Sequence, residues 1–369
     1  MRNNETGVDV LVGMQYGSEG KGKISSVLAD QYDASVRVGA WQAGHTLVYK
    51  GNDYKMRTIP CQWTNPCCDL IIGAGGMIRL DVLKHEIEML ESIGIDIRNR
   101  LYIDPRTVIG LPRHAEQEAS ESMFKKIGST QEGIGACRVE KIKRKGEAIQ
   151  AKNCPKLENY ATVTDTIDLI NLKAQSGKIF VEGTQGCHLS ITTSHLYPMC
   201  TSCDPNVSGI LSECGISPRL VNDIIGVART YPIRVAGNSG NTGGKELSWD
   251  EVSKRSGIKG LSEQTTVTKR TRRVFEWSDR DFQQALLINQ PTILALTFVD
   301  YFGVENAGVE NLSELSDRAL ISIAELEVRN NCHFDILSTG KAVQETIDTR
   351  FATKGNNIRD ALSEVAADF

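Results

Sequence analysis

The sequence predicts an α/β protein with a large, mostly parallel central sheet covered by helices and a P-loop-like nucleotide site near its start. Three observations carry this. Short apolar runs alternate with amphipathic stretches, the pattern of strands and crossover helices. An arc rich in glycine and lysine, "GSEGKGK" (17–23), directly follows the first apolar run. Glycine-rich or polar stretches at 128–135, 236–244 and 256–268 read as loops, and in α/β sheets ligands collect where loops leave the carboxyl ends of strands.

The elements follow in order. "VDVLVG" (8–13) is the first strand, and Ile24, Val27 and Leu28 recur behind the arc at helical spacing. "SVRVG" (35–39) and "LIIGAGG" (70–76) read as the next strands. Asp81 opens a helix whose Leu83, Ile87 and Leu90 share one face and which Gly94 is placed to end. "KIFVEG" (178–183), residues 224–229 and "TILALTFVD" (292–300) read as later strands. There is no repeat, heptad run or low-complexity tract.

Composition narrows the function classes. With 369 residues and 40% hydrophobic content the chain can bury a substantial core. A net charge of -4 gives no electrostatic reason to bind a polyanion, so nucleic acid is not expected as a partner. No stretch reaches the roughly eighteen apolar residues of a membrane span, and "MRNNETGVDVLVG" lacks a signal-peptide pattern. No membrane association is expected, and the expected location is the cytoplasm, of a host cell if the chain is viral. The ten cysteines lack the density of a disulfide scaffold and are read as reduced thiols. Cys187, His188, Cys200 and Cys203 can be drawn as zinc ligands, but adjacent Cys and His chelate poorly.

Gly17 to Lys23 has the G-x-x-x-x-G-K spacing between a strand and a helix, so backbone N–H groups and a helix N-terminus are available to a phosphate. Two lysines in a bare turn would repel each other without an anion to share. Ile24 stands where an ordinary P-loop places the Ser or Thr that holds magnesium. A metal must therefore find other ligands.

The arc together with "WQAGHTLV" (41–48) resembles the paired signatures of the adenylosuccinate synthetase family, G-D-E-G-K-G-K and a G-H-N-A-G-H-T-type stretch. "STQEGIGACRVEKIKRKG" (129–146), "VEGTQG" (181–186), "TTVTKRTRR" (265–273), "LTFVD" (296–300) and "STG" (338–340) look like further family blocks in family order. The resemblance implies one domain over 1–369, with helical and loop insertions around the sheet. It also implies a ligase that phosphorylates O6 of a purine monophosphate and lets the amino group of L-aspartate displace that phosphate. O6 of a lactam is a weak nucleophile, so the N1 proton must leave while cations absorb the charge of phosphoryl transfer.

Residue by residue, the resemblance implies a catalytic set of Ser18, Lys21, His45 and Gln185. Lys21 would neutralise the transferring phosphate, and His45 would hydrogen-bond the γ-phosphate and O6. The triphosphate would lie on Gly17, Ser18, Glu19, Gly20, Lys21, Gly22 and Lys23, with Gly44, His45, Thr46 and Arg272. Phe298, Asp300, Ser338, Thr339 and Gly340 would complete that site. The purine monophosphate would meet Ser18, Gln42, Ala43, Gly44, Thr130, Arg144, Gln185, Thr201 and Arg270, with Arg144 reaching across a homodimer interface. Aspartate would be gripped by Thr266, Val267, Thr268, Arg270 and Arg272, since arginine holds a carboxylate through two parallel hydrogen bonds. Mg2+ is the implied cofactor, on Ser18 and the Gly44 carbonyl.

Ser18 departs from the family pattern. The family has an aspartate there, which takes the N1 proton and ligates magnesium; a serine hydroxyl does neither in the same way at neutral pH. Lys21, His45, Gln185, Arg270 and the arc glycines all persist, which points to an altered substrate rather than a dead site. A hydroxyl in place of a carboxylate leaves room and an acceptor for an amino group at C2 of the purine, as in guanine. The pattern resembles the phage branch of the family, which acts on dGMP. In the block that reads the base of the triphosphate, Phe298 replaces the family lysine, so ATP or dATP is expected, although Asp300 would still suit GTP. Two rival readings remain: an IMP- and GTP-using synthetase that tolerates Ser18, and a nucleotide-dependent conformational switch.

Overall fold

The computed structural model describes residues 6–265 and 269–351. Ten strands form one sheet: β1 (Gly7–Gly13), β2 (Ala34–Arg37), β3 (Asp69–Ile72), β4 (Leu101–Ile103), β5 (Thr162–Val163), β6 (Lys178–Glu182), β7 (Val221–Arg229), β8 (Ile293–Thr297), β9 (Ile336–Ser338) and β10 (Thr346–Asp348). Their order is β10-β9-β8-β7-β1-β6-β2-β3-β4-β5, and all neighbours run parallel except β10 against β9. All seven residues of β1 are buried. That is why its sequence is almost continuously apolar rather than alternating: a parallel strand is covered on both faces.

From β1 the chain runs outward through β2, β3, β4 and β5, returns to insert β6 between β1 and β2, and then builds β7, β8 and β9 on the other side. The winding therefore reverses at β1. Loops leaving the carboxyl ends of β1, β6 and β7 meet at this reversal, where open α/β sheets bind ligands.

The predicted strands and helices are largely present, with shifted ends. The helix after the arc is α1 (Lys21–Val27), with Leu28 as its cap. The helix expected from Asp81 is α2 (Leu80–Ser92), and it buries Leu83, Ile87 and Leu90. Gly94, at φ 82°, follows its end as expected. The apolar run 292–300 is not one strand. It stops at Thr297, Phe298 turns left-handed at φ 60°, and Val299–Phe302 form a 3-10 turn. Hydrophobic periodicity does not register such a turn, and Asp300 consequently sits beyond the sheet. The loop read over 128–135 gives way to a helix at Ile134–Lys143, and Ser256 closes the helix Trp249–Ser256.

Two small elements flank the reversal. His45–Tyr49 and Asn52–Met56 form an antiparallel hairpin. Its two-residue turn, Lys50 at φ 49° and Gly51 at φ 78°, has the positive φ values of the turns that match strand twist. Ile233–Arg234, Glu246–Leu247 and Arg273–Phe275 form a three-stranded antiparallel sheet. Among the described residues no helix is long and apolar enough to cross a membrane.

Candidate active site

The arc folds as a loop between β1 and α1. Gly17, Ser18 and Gly20 all take positive φ, at 89°, 58° and 83°. This conformation turns successive backbone N–H groups into one concavity. Glu19 occupies it: its Oε1 accepts from Gly17 N at 2.7 Å and Gln15 N at 3.2 Å, and its Oε2 pairs with Lys21 Nζ at 2.6 Å. The loop itself thus supplies an anion to Lys21, the Glu19 carboxylate. The two lysines also separate. Lys23 Nζ donates to Ser338 Oγ and the Gly340 carbonyl, both at 2.8 Å, and to the Glu345 carbonyl at 2.5 Å, which ties the arc to the "STG" block. Burial pulls the Lys23 ammonium down to about 8, against Glu345 and Asp300.

His45 reaches the arc because Gly22 has no side chain. A Cβ at Gly22 would lie 2.7 Å from the Thr46 carbonyl oxygen and 2.9 Å from His45 Cβ, so α1 and the hairpin could not approach. His45 Nδ1 lies 2.6 Å from Glu182 Oε1, which also accepts from Arg37 Nη1 at 2.7 Å. The other carboxylate oxygen accepts from Cys61 N at 2.7 Å and Ser25 Oγ at 2.9 Å. Burial alone would raise the Glu182 carboxyl, but Arg37 and then His45 outweigh it and bring it to about 2. Burial, with Arg37 adding to it, lowers His45 to about 4 despite Glu182. The dyad is therefore a neutral imidazole on a carboxylate, with Nδ1–H held by Glu182 and Nε2 without a partner among the described residues.

On the opposite side Arg229 is fully buried. Its Nη1 donates to the Ser18 carbonyl at 3.1 Å, which fixes the loop at that residue. The same guanidinium pairs with Glu263 and stacks 3.9 Å from the Phe298 ring centroid. Glu263 also binds Arg272 Nη1 at 3.0 Å and the Tyr301 hydroxyl at 3.0 Å. Burial raises the Asp300 carboxyl to about 6, opposed by its backbone hydrogen bond, Lys23 and Arg229.

The remaining predicted residues are distributed around this core. Gln185, at φ 65°, lies three residues past β6, and a Cβ on the neighbouring Gly186 would lie 2.3 Å from Gly17 N, so this turn packs on the arc. Gln42 Oε1 is buried without a partner among the described residues. Ala43 gives its carbonyl to Arg37 Nη2 at 2.5 Å. Thr201 N bonds the Leu189 carbonyl at 2.8 Å. Arg270 lies 3.7 Å from the Phe124 ring centroid, and half-buried Thr130 follows in the same 124–130 stretch. Arg144 is exposed just past the helix Ile134–Lys143, at φ 55°. Thr339 is fully buried and donates from Oγ1 to the Val309 carbonyl at 2.6 Å. Thr266, Val267 and Thr268 lie outside the described residues.

The sequence reading did not single out Arg37, Glu182 or Arg229. Each is the last residue of a buried strand, in "ASVR", "KIFVE" and "VNDIIGVAR". A charge closing an apolar run was the available signal: it marks a strand end that opens on a polar site. Of the imagined zinc ligands, His188 instead directs Nε2 at the Asp281 carbonyl, 2.8 Å away. All ten cysteines are free.

The family model for adenylosuccinate synthetase matches residues 10–156 and 151–308. The chain belongs to the adenylosuccinate synthetase family. Adenylosuccinate synthetases of Thermococcus sibiricus and Methanococcus aeolicus are 35% and 34% identical to it, over 92% of this chain and 98% and 99% of theirs. Two solved structures share the fold at TM-score 0.80. One is cyanophage S-2L succinoaminodeoxyadenylate synthetase bound to dGMP and dATP, 24% identical over 99% of each chain. The other is fully ligated adenylosuccinate synthetase from Plasmodium falciparum, 21% identical over 93% of this chain and 99% of that one. As a family member the chain is a carbon–nitrogen ligase that uses a nucleoside triphosphate and aspartate.

Adenylosuccinate synthetases depend on Mg2+ in general. His45, Cys61 and Glu182 bring potential ligand atoms within 4.8 Å of one another. That cluster does not suit magnesium, because burial keeps the Cys61 thiol protonated and Glu182 is already engaged by Arg37 and His45. Magnesium prefers oxygen donors. The Ser18 hydroxyl and the Gly44 carbonyl offer oxygen of that kind.

Proposed function

We propose that this synthetase condenses L-aspartate with dGMP at C6, using ATP or dATP, to give N6-succino-2-amino-2'-deoxyadenylate. Ser18 carries the reading. It stands at the family aspartate position in a left-handed conformation, with its carbonyl fixed by Arg229 and the surrounding machinery intact. The cyanophage protein that shares the fold is bound to dGMP and dATP, which adds support.

In the first step O6 attacks the γ-phosphorus, the bond to the β-phosphate oxygen breaks, and the N1 proton leaves to a water beside Ser18 or to the aspartate substrate. In the second, the aspartate amino group attacks C6, the C6–O bond breaks, and the nitrogen gives up one proton to the departing phosphate or to water. The arc amides and Lys21 would hold the phosphates once Glu19 yields its place. His45 Nε2 would face the transferring group, and an anion there favours the imidazolium that Glu182 stabilises. Gln185 and Gln42 would meet the purine edge, and Thr130, Thr201, Arg270 and a second copy's exposed Arg144 would serve the monophosphate. Arg270 and Arg272, with residues 266–268, would take the aspartate carboxylates. Mg2+, held by Ser18, Gly44 and phosphate oxygens, would supply charge neutralisation for phosphoryl transfer. We read all 369 residues as one domain serving this site.

Incubation with dGMP, aspartate, ATP and Mg2+, followed by mass analysis of the nucleotide, tests the proposal. A product heavier than dGMP by aspartate less water supports it. Adenylosuccinate formed from IMP with dGMP untouched refutes it. The IMP- and GTP-using reading keeps its own support, since the curated relatives are plain adenylosuccinate synthetases and Asp300 persists.

A further inference from the structure

Arg234 is 3% exposed and sits directly across from Arg273 in the three-stranded sheet. Like charges facing each other across strands are destabilising. Arg273 is neutralised, with Nε and Nη2 at 2.7 and 2.6 Å from Glu246. Arg234 is not. Among the described residues its side chain makes one hydrogen bond, from Nη2 to the Met199 carbonyl at 2.8 Å, and Nε and Nη1 are buried without a partner. The Tyr16 ring lies 5.1 Å from the guanidinium, and its hydroxyl donates to Asp281 at 2.6 Å. Tyr16 thus offers Arg234 a ring face and no counter-charge. An unpaired buried charge is among the most costly features a fold can keep.

The surroundings say what the missing anion is. Met199 is two residues from Thr201. The loop after Arg234 packs on the 124–130 stretch, where a Cβ at Gly237 would come 2.9 Å from Phe124 Cζ and one at Gly128 would come 2.9 Å from Ser239 Cβ. The Phe124 ring in turn carries Arg270. Arg234 therefore joins the three segments bearing Thr201, Thr130 and Arg270.

We infer that Arg234 is a further anion-binding residue of the acceptor-nucleotide site, its unpaired guanidinium edge taking an oxygen of the phosphate monoester. The inference rests on the reading that the acceptor is a purine monophosphate. Nε and Nη1 are buried, and the loop 236–244 lies against the guanidinium, where a Cβ at Gly240 would come 3.6 Å from Nη2. Phosphate entry is therefore expected to shift that loop, which Gly243 N to Asp281 Oδ2 at 2.7 Å and Arg273 Nη1 to the Gly240 carbonyl at 2.8 Å hold in place.

Arg234→Met removes the charge while keeping length, and Arg234→Lys keeps the charge. With whichever of dGMP and IMP is turned over, Arg234→Met is expected to raise KM for the monophosphate about tenfold or more, Arg234→Lys less, with KM for triphosphate and aspartate within about twofold. Ligand-free Arg234→Met should melt no lower than wild type, since it removes an unpaired buried charge. An unchanged monophosphate KM with a lowered melting temperature would make Arg234 a structural cation and overturn the inference, as would a KM rise confined to aspartate. If neither nucleotide is turned over, the acceptor reading fails by itself. Titration with inorganic phosphate then decides: a smaller thermal shift in Arg234→Met than in wild type upholds the anion site, and equal shifts overturn it.

Discussion

Arg37 and Glu182 end adjacent parallel strands as register partners, Nη1 2.7 Å from Oε1, and the same oxygen lies 2.6 Å from His45 Nδ1. One buried carboxylate thereby serves two cationic partners, one permanently charged and one able to become so. Glu182→Gln leaves Arg37 buried without its counter-charge and deprives the imidazolium of its stabiliser. Turnover should fall roughly a hundredfold, with a smaller change in KM for either nucleotide. Steady-state kinetics of a folded variant would check this, and wild-type turnover would remove Glu182 from the mechanism.

The same dyad sets an acid limit on stability. The imidazole of His45 titrates at about 4 in the fold, against about 6.5 in an unfolded chain. The unfolded chain therefore takes up the proton first as pH falls. Stabilisation present above the unfolded value should be lost between about 6.5 and 4, roughly 3 kcal/mol in all. Denaturant melts across that window should show the decline, and His45→Asn should flatten it.

Ser18 already lies in the left-handed region, at φ 58°, where aspartate is also tolerated. Ser18→Asp should fold normally and move preference from dGMP toward IMP, changing the ratio of their kcat/KM values about tenfold or more. Parallel assays with both nucleotides decide the point, and an unchanged ratio would detach base selection from this position.

Glu19 holds the arc amides and neutralises Lys21 at 2.6 Å. Glu19→Ala leaves a buried ammonium and the amides of Gln15 and Gly17 unpaired, a loss of about 3 to 5 kcal/mol without added nucleotide. A triphosphate supplies the same partners. The destabilisation should shrink when ATP is added, and melting temperatures with and without ATP would reveal it; an equal loss in both would show that the carboxylate has no phosphate-like role.

Lys23 titrates at about 8 because it is buried. A phosphate beside it favours the ammonium, so triphosphate binding should take up a proton near pH 8 and weaken as pH rises through that value. Calorimetry in buffers of different ionisation heat would measure the uptake. A pH-independent affinity between about 7 and 9 would place Lys23 outside the triphosphate's reach.

The sequence by itself determined the glycine–lysine arc between a strand and a helix, the later strands, and the neutral side chain at Ser18. All are local: periodicity marks the elements, and glycine spacing marks a turn that can hold phosphate. Only the tertiary structure decided that β6 enters between β1 and β2 and so sets Glu182 beside Arg37 and His45. It likewise decided that Glu19 fills the arc, that Lys23 turns to Ser338, and that Arg234 lacks the counter-charge Arg273 has. Strand order and buried charge pairing depend on contacts between residues far apart in the chain, and local periodicity encodes neither.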